Sequence, residues 1–250
     1  MKSVAACTRW ASARGDAAVK LAVDLHMHSC LSPCGDMDMT PNNIVNMARL
    51  KGLDMIAVAD HNTAGQLRAV KAVADAVGVS LLPAMELTTR EEAHLLAYFL
   101  TVEEAEDFSR EIYEFLPPIP NRVSLFGRQA FMNEDDEIVR EEEKLLISAL
   151  SLSVDALAER LRARGALAVP AHINRGANGI LNALGFLPPG LPFDAVEVAP
   201  ELPLPEKGIP ALKRLHSSDA HYLENIFERT EFLDMSECSP RGFFDYIRSG

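Results

Sequence analysis

Six of the seven histidines in this chain stand at or beside the ends of short apolar runs that read as strands. His26 and His28 close KLAVDLHMH, His61 follows MIAVAD, His94 opens HLLAY, His172 follows ALAVPA, and His221 stands in SSDAH two residues after Asp219. Neutral imidazole and carboxylate are the usual ligands of zinc, manganese and iron. A fold that gathers these run ends in one place builds a metal site for several ions, and few architectures do so.

From residue 20 onward, β-rich runs alternate with helical patterns, which favours an α/β fold with parallel strands. The expected strands are 20–25, 54–59, 79–84, 94–100, 166–171, 193–198, 213–217 and 230–235. Thr40 and Pro41 open a helix with Ile44, Met47 and Ala48 on one face and Gly52 past its end. Leu67, Val70, Val73, Ala74 and Val77 mark a second helix that stops at Gly78. Ser153 opens a third, closed by Gly165, and Ser239-Pro240 opens the last. Ligand candidates at strand ends suit a barrel enzyme, where those ends and the loops after them form the site. A doubly wound open sheet is the alternative, although ligands from six or seven strands converge more easily in a ring. His94 departs from the pattern because it begins its strand.

Residues 101–150 interrupt this rhythm with a helix at 108–116, the turn LPPIP, a hairpin in QAFMNEDDEIV and the acidic run REEEK. They read either as a solvated excursion or as a flap over the pocket that selects the substrate. Residues 1–19 show neither periodicity nor caps and are expected to form a disordered extension. Residues 20–250 then form a single domain that carries the insertion.

The chain's 250 residues, 48% of them hydrophobic, suffice for one domain with a sizeable core. Its net charge of −12 opposes a broad grip on nucleic-acid phosphates, so a nucleic-acid partner is not expected. Bound divalent ions would reverse the sign locally, giving a pocket that attracts a small phosphorylated substrate within an acidic surface. No stretch resembles a signal-peptide core or reaches the ~20 apolar residues of a membrane span, so a cytoplasmic protein with no membrane partner is expected. Cys7, Cys30, Cys34 and Cys238 are too few and too unevenly placed for a secreted disulfide framework. Cys30 and Cys34, beside the histidine pair, suggest a metal or redox role.

Residues two apart on an extended segment point the same way, so His26 and His28 can hold one ion together. Asp219 and His221 repeat that spacing. Glu86, in VSLLPAMEL, would be costly to bury unpaired. An ion removes that cost, and the two carboxylate oxygens can bridge a pair of ions; pairing with Arg90 is the alternative. Asp60 stands where it can orient a ligand. His172 reads as a ligand or as a hydrogen-bonded core histidine. Arg175, three residues on, reads as a bidentate phosphate contact or a surface ion pair. His216 falls outside the set and is expected in a structural role.

Taken in order, DLHMH, ADHN, MEL, AHLLAY, PAHINR and SSDAH resemble the PHP family, named for polymerase and histidinol phosphatase domains, over essentially residues 20–250. The resemblance implies a distorted (β/α)7 barrel with two or three divalent metal ions (zinc, manganese or iron) at the carboxyl ends of its strands. It implies that His26, His28, Glu86 and Asp219 hold one ion, and that Glu86, His94 and His172 hold a second. His61 and His221 would serve a third, completed by a residue shortly after the HxH pair. The segment HSCLSPCGD aligns Cys34 with a ligand position, while alignment from the following Thr40-Pro41 puts Asp36 there. Thiolate is a good zinc ligand, which favours Cys34.

The implied reaction is hydrolysis of a small-molecule phosphomonoester by hydroxide held between two ions, with Arg175 on the non-bridging oxygens. Glu86, Asp219, Arg175 and Asp60 are the residues expected to carry catalysis. Histidinol-phosphatase-like and nucleotide-phosphatase-like specificities share this ligand set. The same barrel could instead cleave a C–N or carboxylic ester bond, and Cys30 with Cys34 could make a non-catalytic metal or redox sensor.

Overall fold

A computed structural model describes residues 18–204, 209 and 211–249. The elements run β1 (Val19–Met27), α1 (Pro41–Leu50), β2 (Met55–Val58), α2 (Leu67–Val77), β3 (Ser80–Leu81), β4 (Ala84–Thr88), β5 (His94–Tyr98), α3 (Val102–Tyr113) and α4 (Val123–Phe126). They continue with β6 (Ala130–Met132), β7 (Ile138–Glu141), α5 (Val154–Ala163), β8 (Leu167–Pro170), α6 (Ile180–Leu184), β9 (Ala195–Glu197), β10 (Lys213–Leu215), β11 (Phe232–Met235) and α7 (Pro240–Arg248). The extension expected at 1–19 lies almost wholly outside the described residues, as does Cys7.

Local chemistry explains the helix boundaries. The Thr40 hydroxyl accepts from the Asn43 amide, with Pro41 in the first turn, where its missing N–H costs nothing. Gly78 closes α2 in the left-handed region at φ 78°. Ser153 and Ser239 cap α5 and α7 in the same way as Thr40. Helix α3 starts at Val102 rather than 108, because Thr101 and Glu104 form a reciprocal capping box that satisfies two amides at its start.

The strands are not all parallel, which corrects the expectation. A four-stranded sheet in the order β11-β1-β2-β3 has β1 antiparallel to β11 and parallel to β2. Strand β5 runs antiparallel to both its neighbours in a second sheet, β4-β5-β8. The expected strand at 79–84 is two short strands, β3 and β4, and Glu86 lies inside β4 rather than after a strand. Strands β9 and β10 pair in parallel. Single bridges, Met27 to Ala220 and His61 to Glu86, tie the sheets together. No closed hydrogen-bonded barrel forms among the described residues; the observed class is an α/β fold with mixed sheets. Several strands are short, and at Met27–Ala220 and His61–Glu86 single bridges stand where a closed barrel would have ladders.

Apolar side chains on one face of the strands pack against α1, α2, α3 and α5 in one large cluster. A second cluster, including Leu21, Val23, Leu25, Leu96, Val169 and Ala195, fills the other face and meets Phe243, Phe244 and Ile247 of α7. The Tyr98 hydroxyl, buried with it, donates to the Leu25 carbonyl at 2.9 Å.

The insertion is docked on the molecule. Hairpin β6–β7 packs on the loop after β1, with Ala130 N donating to Cys30 O at 3.2 Å. The Phe131 ring leaves no room for a Cβ at Gly65. Asn62, beside His61, donates to the carbonyls of Leu146 and Ser148 at 2.7 and 3.0 Å. The insertion therefore borders the histidine cluster instead of projecting as a solvated excursion.

Candidate metal centre

Because β5 runs against β4 and β8, its first residue lies level with their last ones. His94 pairs across from Thr88, and Leu95 pairs with Pro170, two residues before His172. The departure noted for His94 thus follows from strand direction. On the other side, the bridge from Met27 to Ala220 and the bond from His28 N to Ala220 O (2.9 Å) set Asp219 and His221 beside the end of β1.

Glu86 is the hub. Its Oε1 lies 2.8 Å from His94 Nδ1, 3.2 Å from His172 Nε2 and 3.4 Å from His26 Nε2. Its Oε2 lies 3.1 Å from His61 Nδ1 and 3.3 Å from His28 Nε2. Arg90, the alternative partner, pairs with Glu91 at the surface. Asp219 Oδ1 lies 3.1 Å from His28 Nε2 and 3.4 Å from His26 Nε2, and its Oδ2 accepts from the Arg175 guanidinium. The His221 ring stacks on that of His28 with centroids 4.6 Å apart. Among the described residues, three groups have ligand atoms within 4.8 Å of one another: His26, His28 and Asp219; His61, Glu86 and His94; and His28, Cys34 and His61.

Cys34 rather than Asp36 sits with the histidines. Asp36 Oδ1 instead accepts from the Asp38 amide at 2.8 Å, which holds its own turn. A Cβ at Gly35 would fall 2.1 Å from Ser29 O, so this loop closes tightly enough to carry Cys34 inward only with glycine there. Cys30 points elsewhere, its Sγ meeting Ala130 O and Met132 Sδ. His216 is also outside the cluster, 3.4 Å from Glu231.

Asp60 does not face the cluster directly. Its carboxylate accepts from Ser29 N (2.8 Å), Ser29 Oγ (2.6 Å) and Ser32 Oγ (2.6 Å), and Ser32 Oγ stands 3.1 Å from His28 Nδ1. This chain of bonds fixes the ring of His28. Two further buried carboxylates escaped the sequence reading. Asp24 accepts from Ser218 N and Phe227 N, both at 3.0 Å, and so ties the Asp219 segment to β1. Glu197, at the end of β9, approaches His26 Nδ1 with both oxygens, at 3.0 and 3.2 Å, and accepts from His172 N at 3.0 Å. The signal for both was an acid within a run whose neighbours are all apolar.

The electrostatics suit bound cations. Asp24, Asp60, Glu86 and Glu197 are each at most 2% exposed. Burial alone would raise the carboxyl pKa of Glu86, yet His94, His26 and His61 hold it well below the ordinary range. Burial likewise opposes the charge on His28, but Asp219 and Glu86 raise it to about 9. Burial dominates at His61, which is pushed well below its usual value, and at His221, pushed down to about 4 by burial and the nearby His28. Burial also raises the Cys34 thiol, as do Glu86 and Asp219, so a thiolate there needs a cation beside it. Buried His26 Nε2, His61 Nδ1 and Glu86 Oε2 make no hydrogen bond, a state that is costly unless a cation takes them; His172 Nδ1 is also unbonded, while the Nε2 of that ring is the atom that faces Glu86. His172 and Asp219 hold non-glycine backbones at φ 28° and 49°, strain of about 1–3 kcal/mol each that tends to collect at functional sites. Nitrogen, carboxylate oxygen and a thiol in this density fit zinc, manganese or iron.

No family model matches the chain, and no curated protein matches it. Solved structures do. The lesion-specific endonuclease PfuEndoQ of Pyrococcus furiosus superposes with a TM-score of 0.63 at 17% identity, over 92% of this chain and 56% of the endonuclease, so the chain spans little more than half of that protein. A protein of Bifidobacterium adolescentis, assigned as a metal-dependent phosphoesterase, superposes at 0.57 with 18% identity over 91% of this chain and 94% of its own. A two-domain Bacteroides vulgatus protein containing a predicted PHP-like metal-dependent phosphoesterase gives 0.55 with 20% identity over 93% of this chain and 63% of its own. This chain therefore has the fold of the PHP-like metal-dependent phosphoesterases.

Proposed function

We propose that the chain is a PHP-family metal-dependent phosphoesterase that hydrolyses a small phosphomonoester. The observation that carries this reading is Glu86, a buried carboxylate with five imidazoles within 3.4 Å. An apolar core has no use for such a set, whereas ions between them would satisfy the atoms that face one another across the cluster. His26, His28, Glu86 and Asp219 would hold one ion; Glu86, His94 and His172 a second; His61, His221 and Cys34 a third. Divalent ions supply a lowered pKa for water and neutralise phosphoryl charge.

The chain's own residues do the rest. Arg175 has a side chain one-third exposed that reaches Asp219. It can hold two phosphoryl oxygens in its planar fork at the mouth of the site. Asp60 acts through Ser32 to keep His28 aimed at Asp219 and Glu86. The docked insertion shapes the approach on the side of His61 and Cys34, and its residues would choose among histidinol phosphate, nucleotides and other small esters.

A phosphodiester within nucleic acid is the second reading, favoured by the likeness to the Pyrococcus furiosus endonuclease. Against it stand the net charge of −12 and the part of that endonuclease that this chain does not cover. A redox sensor is disfavoured, since Cys30 and Cys34 face different surroundings. Among the described residues, no helix is long and apolar enough to cross a membrane. Side-by-side turnover of phosphomonoesters, a DNA duplex, an amide and a carboxylic ester at equal metal loading tests the proposal. Preference for the phosphomonoester supports it, and faster cleavage of DNA or of a carbonyl substrate overturns it.

A further inference from the structure

We infer that Glu197 is a positioning residue for the metal centre, fixing the ring of His26 as the Nδ1–H tautomer and so presenting Nε2 to Glu86 and Asp219. This rests on the metal-centre reading above and deepens it. Both Glu197 oxygens stand within hydrogen-bond distance of Nδ1, at 3.0 and 3.2 Å, on a residue only 2% exposed. A carboxylate can only accept, so the proton of that bond belongs to the imidazole. The opposite nitrogen lies 3.4 Å from both Glu86 and Asp219 and makes no hydrogen bond. With Nδ1 engaged by Glu197, Nε2 is the nitrogen whose lone pair would be offered to an ion held in the cluster.

One oxygen serves a second ligand strand. Glu197 Oε2 also accepts from the backbone amide of His172, whose φ of 28° lies in the left-handed region. The bond from Ile173 N to Glu197 O, at 2.9 Å, clamps the same turn from the other side. One carboxylate on β9 therefore sets the ring of His26 and holds the strained turn that carries His172. Carboxylate partners of this kind orient metal-bound histidines and raise their basicity.

The test compares wild type with Glu197→Gln and Glu197→Asp, reading metal affinity by chelator competition as well as turnover. Zinc or manganese binding in Glu197→Gln should weaken by about 10–100-fold, with apo-protein melting unchanged or raised and partial recovery in Glu197→Asp. Affinity within twofold of wild type would overturn the inference. Should the variants not fold, the wild type still decides: long-range proton–nitrogen spectra of histidine-labelled, zinc-loaded protein must show the His26 proton on Nδ1, and a proton on Nε2 refutes it. Failure of the wild type itself to bind divalent ions would instead bring down the metal-centre reading on which this depends.

Discussion

Oε1 of Glu86 lies 2.8 Å from Nδ1 of His94, across the antiparallel pair of β4 and β5. Antiparallel pairing brings a strand's beginning level with its neighbour's end, and the register places these two side chains together. The same carboxylate reaches four further histidines, so its charge is the point on which the centre balances.

Glu86→Gln keeps the shape of the side chain and removes that charge. Loss of the bridging group should lower turnover of a phosphomonoester by at least about 10²-fold, the range seen when a charge-stabilising group is removed from an active site. Metal content after dialysis should fall in parallel while far-ultraviolet circular dichroism stays unchanged. Full metal content with full activity would show that Glu86 bridges nothing.

Removal of metal leaves buried imidazole and carboxylate atoms of the cluster without a partner. Chelation should therefore lower the melting temperature, and saturating zinc, manganese or iron should restore it. Ligand at 100 times its dissociation constant adds about 2.7 kcal/mol, a shift of roughly 5–11 °C for a chain of this length. An unchanged melting curve in protein shown to have lost its metal contradicts the account.

Asp60 accepts three hydrogen bonds from Ser29 and Ser32. Asp60→Ala should cost about 1–3 kcal/mol for each donor left buried and unsatisfied, measured by urea denaturation of the metal-free protein. Weaker metal binding should accompany it, since Ser32 loses its hold on His28.

Arg175→Ala should leave folding and metal content near wild type, because the guanidinium is partly exposed, yet reduce kcat/KM for phosphate esters by about 10²-fold. Inhibition by inorganic phosphate should weaken alongside. If kcat/KM fell while phosphate inhibition stayed unchanged, Arg175 would be acting on Asp219 rather than on substrate.

Much of the centre was legible in the sequence because HxH and DxH spacings on extended segments carry their geometry locally. The direction of β5 was not, since periodicity reports which residues share a face and is blind to which way a strand runs. The β3–β4 division was hidden for a related reason: Pro83 breaks a run whose apolar character is continuous on both sides. Glu197 is less legible, because a single acid in AVEV fits an alternating strand with one wet face as well as a buried run, and the tertiary fold decides for burial. The capping box of Thr101 and Glu104 was readable and would have placed the start of α3 correctly.

The most direct test of the central claim is hydrolysis of a phosphomonoester by protein of measured metal content, before chelation, after it, and after zinc, manganese or iron is returned. Activity should vanish with the metal and return with it at a stoichiometry of two or three ions per chain. Absence of turnover across histidinol phosphate, nucleotides and an aryl phosphate at full occupancy would contradict that claim.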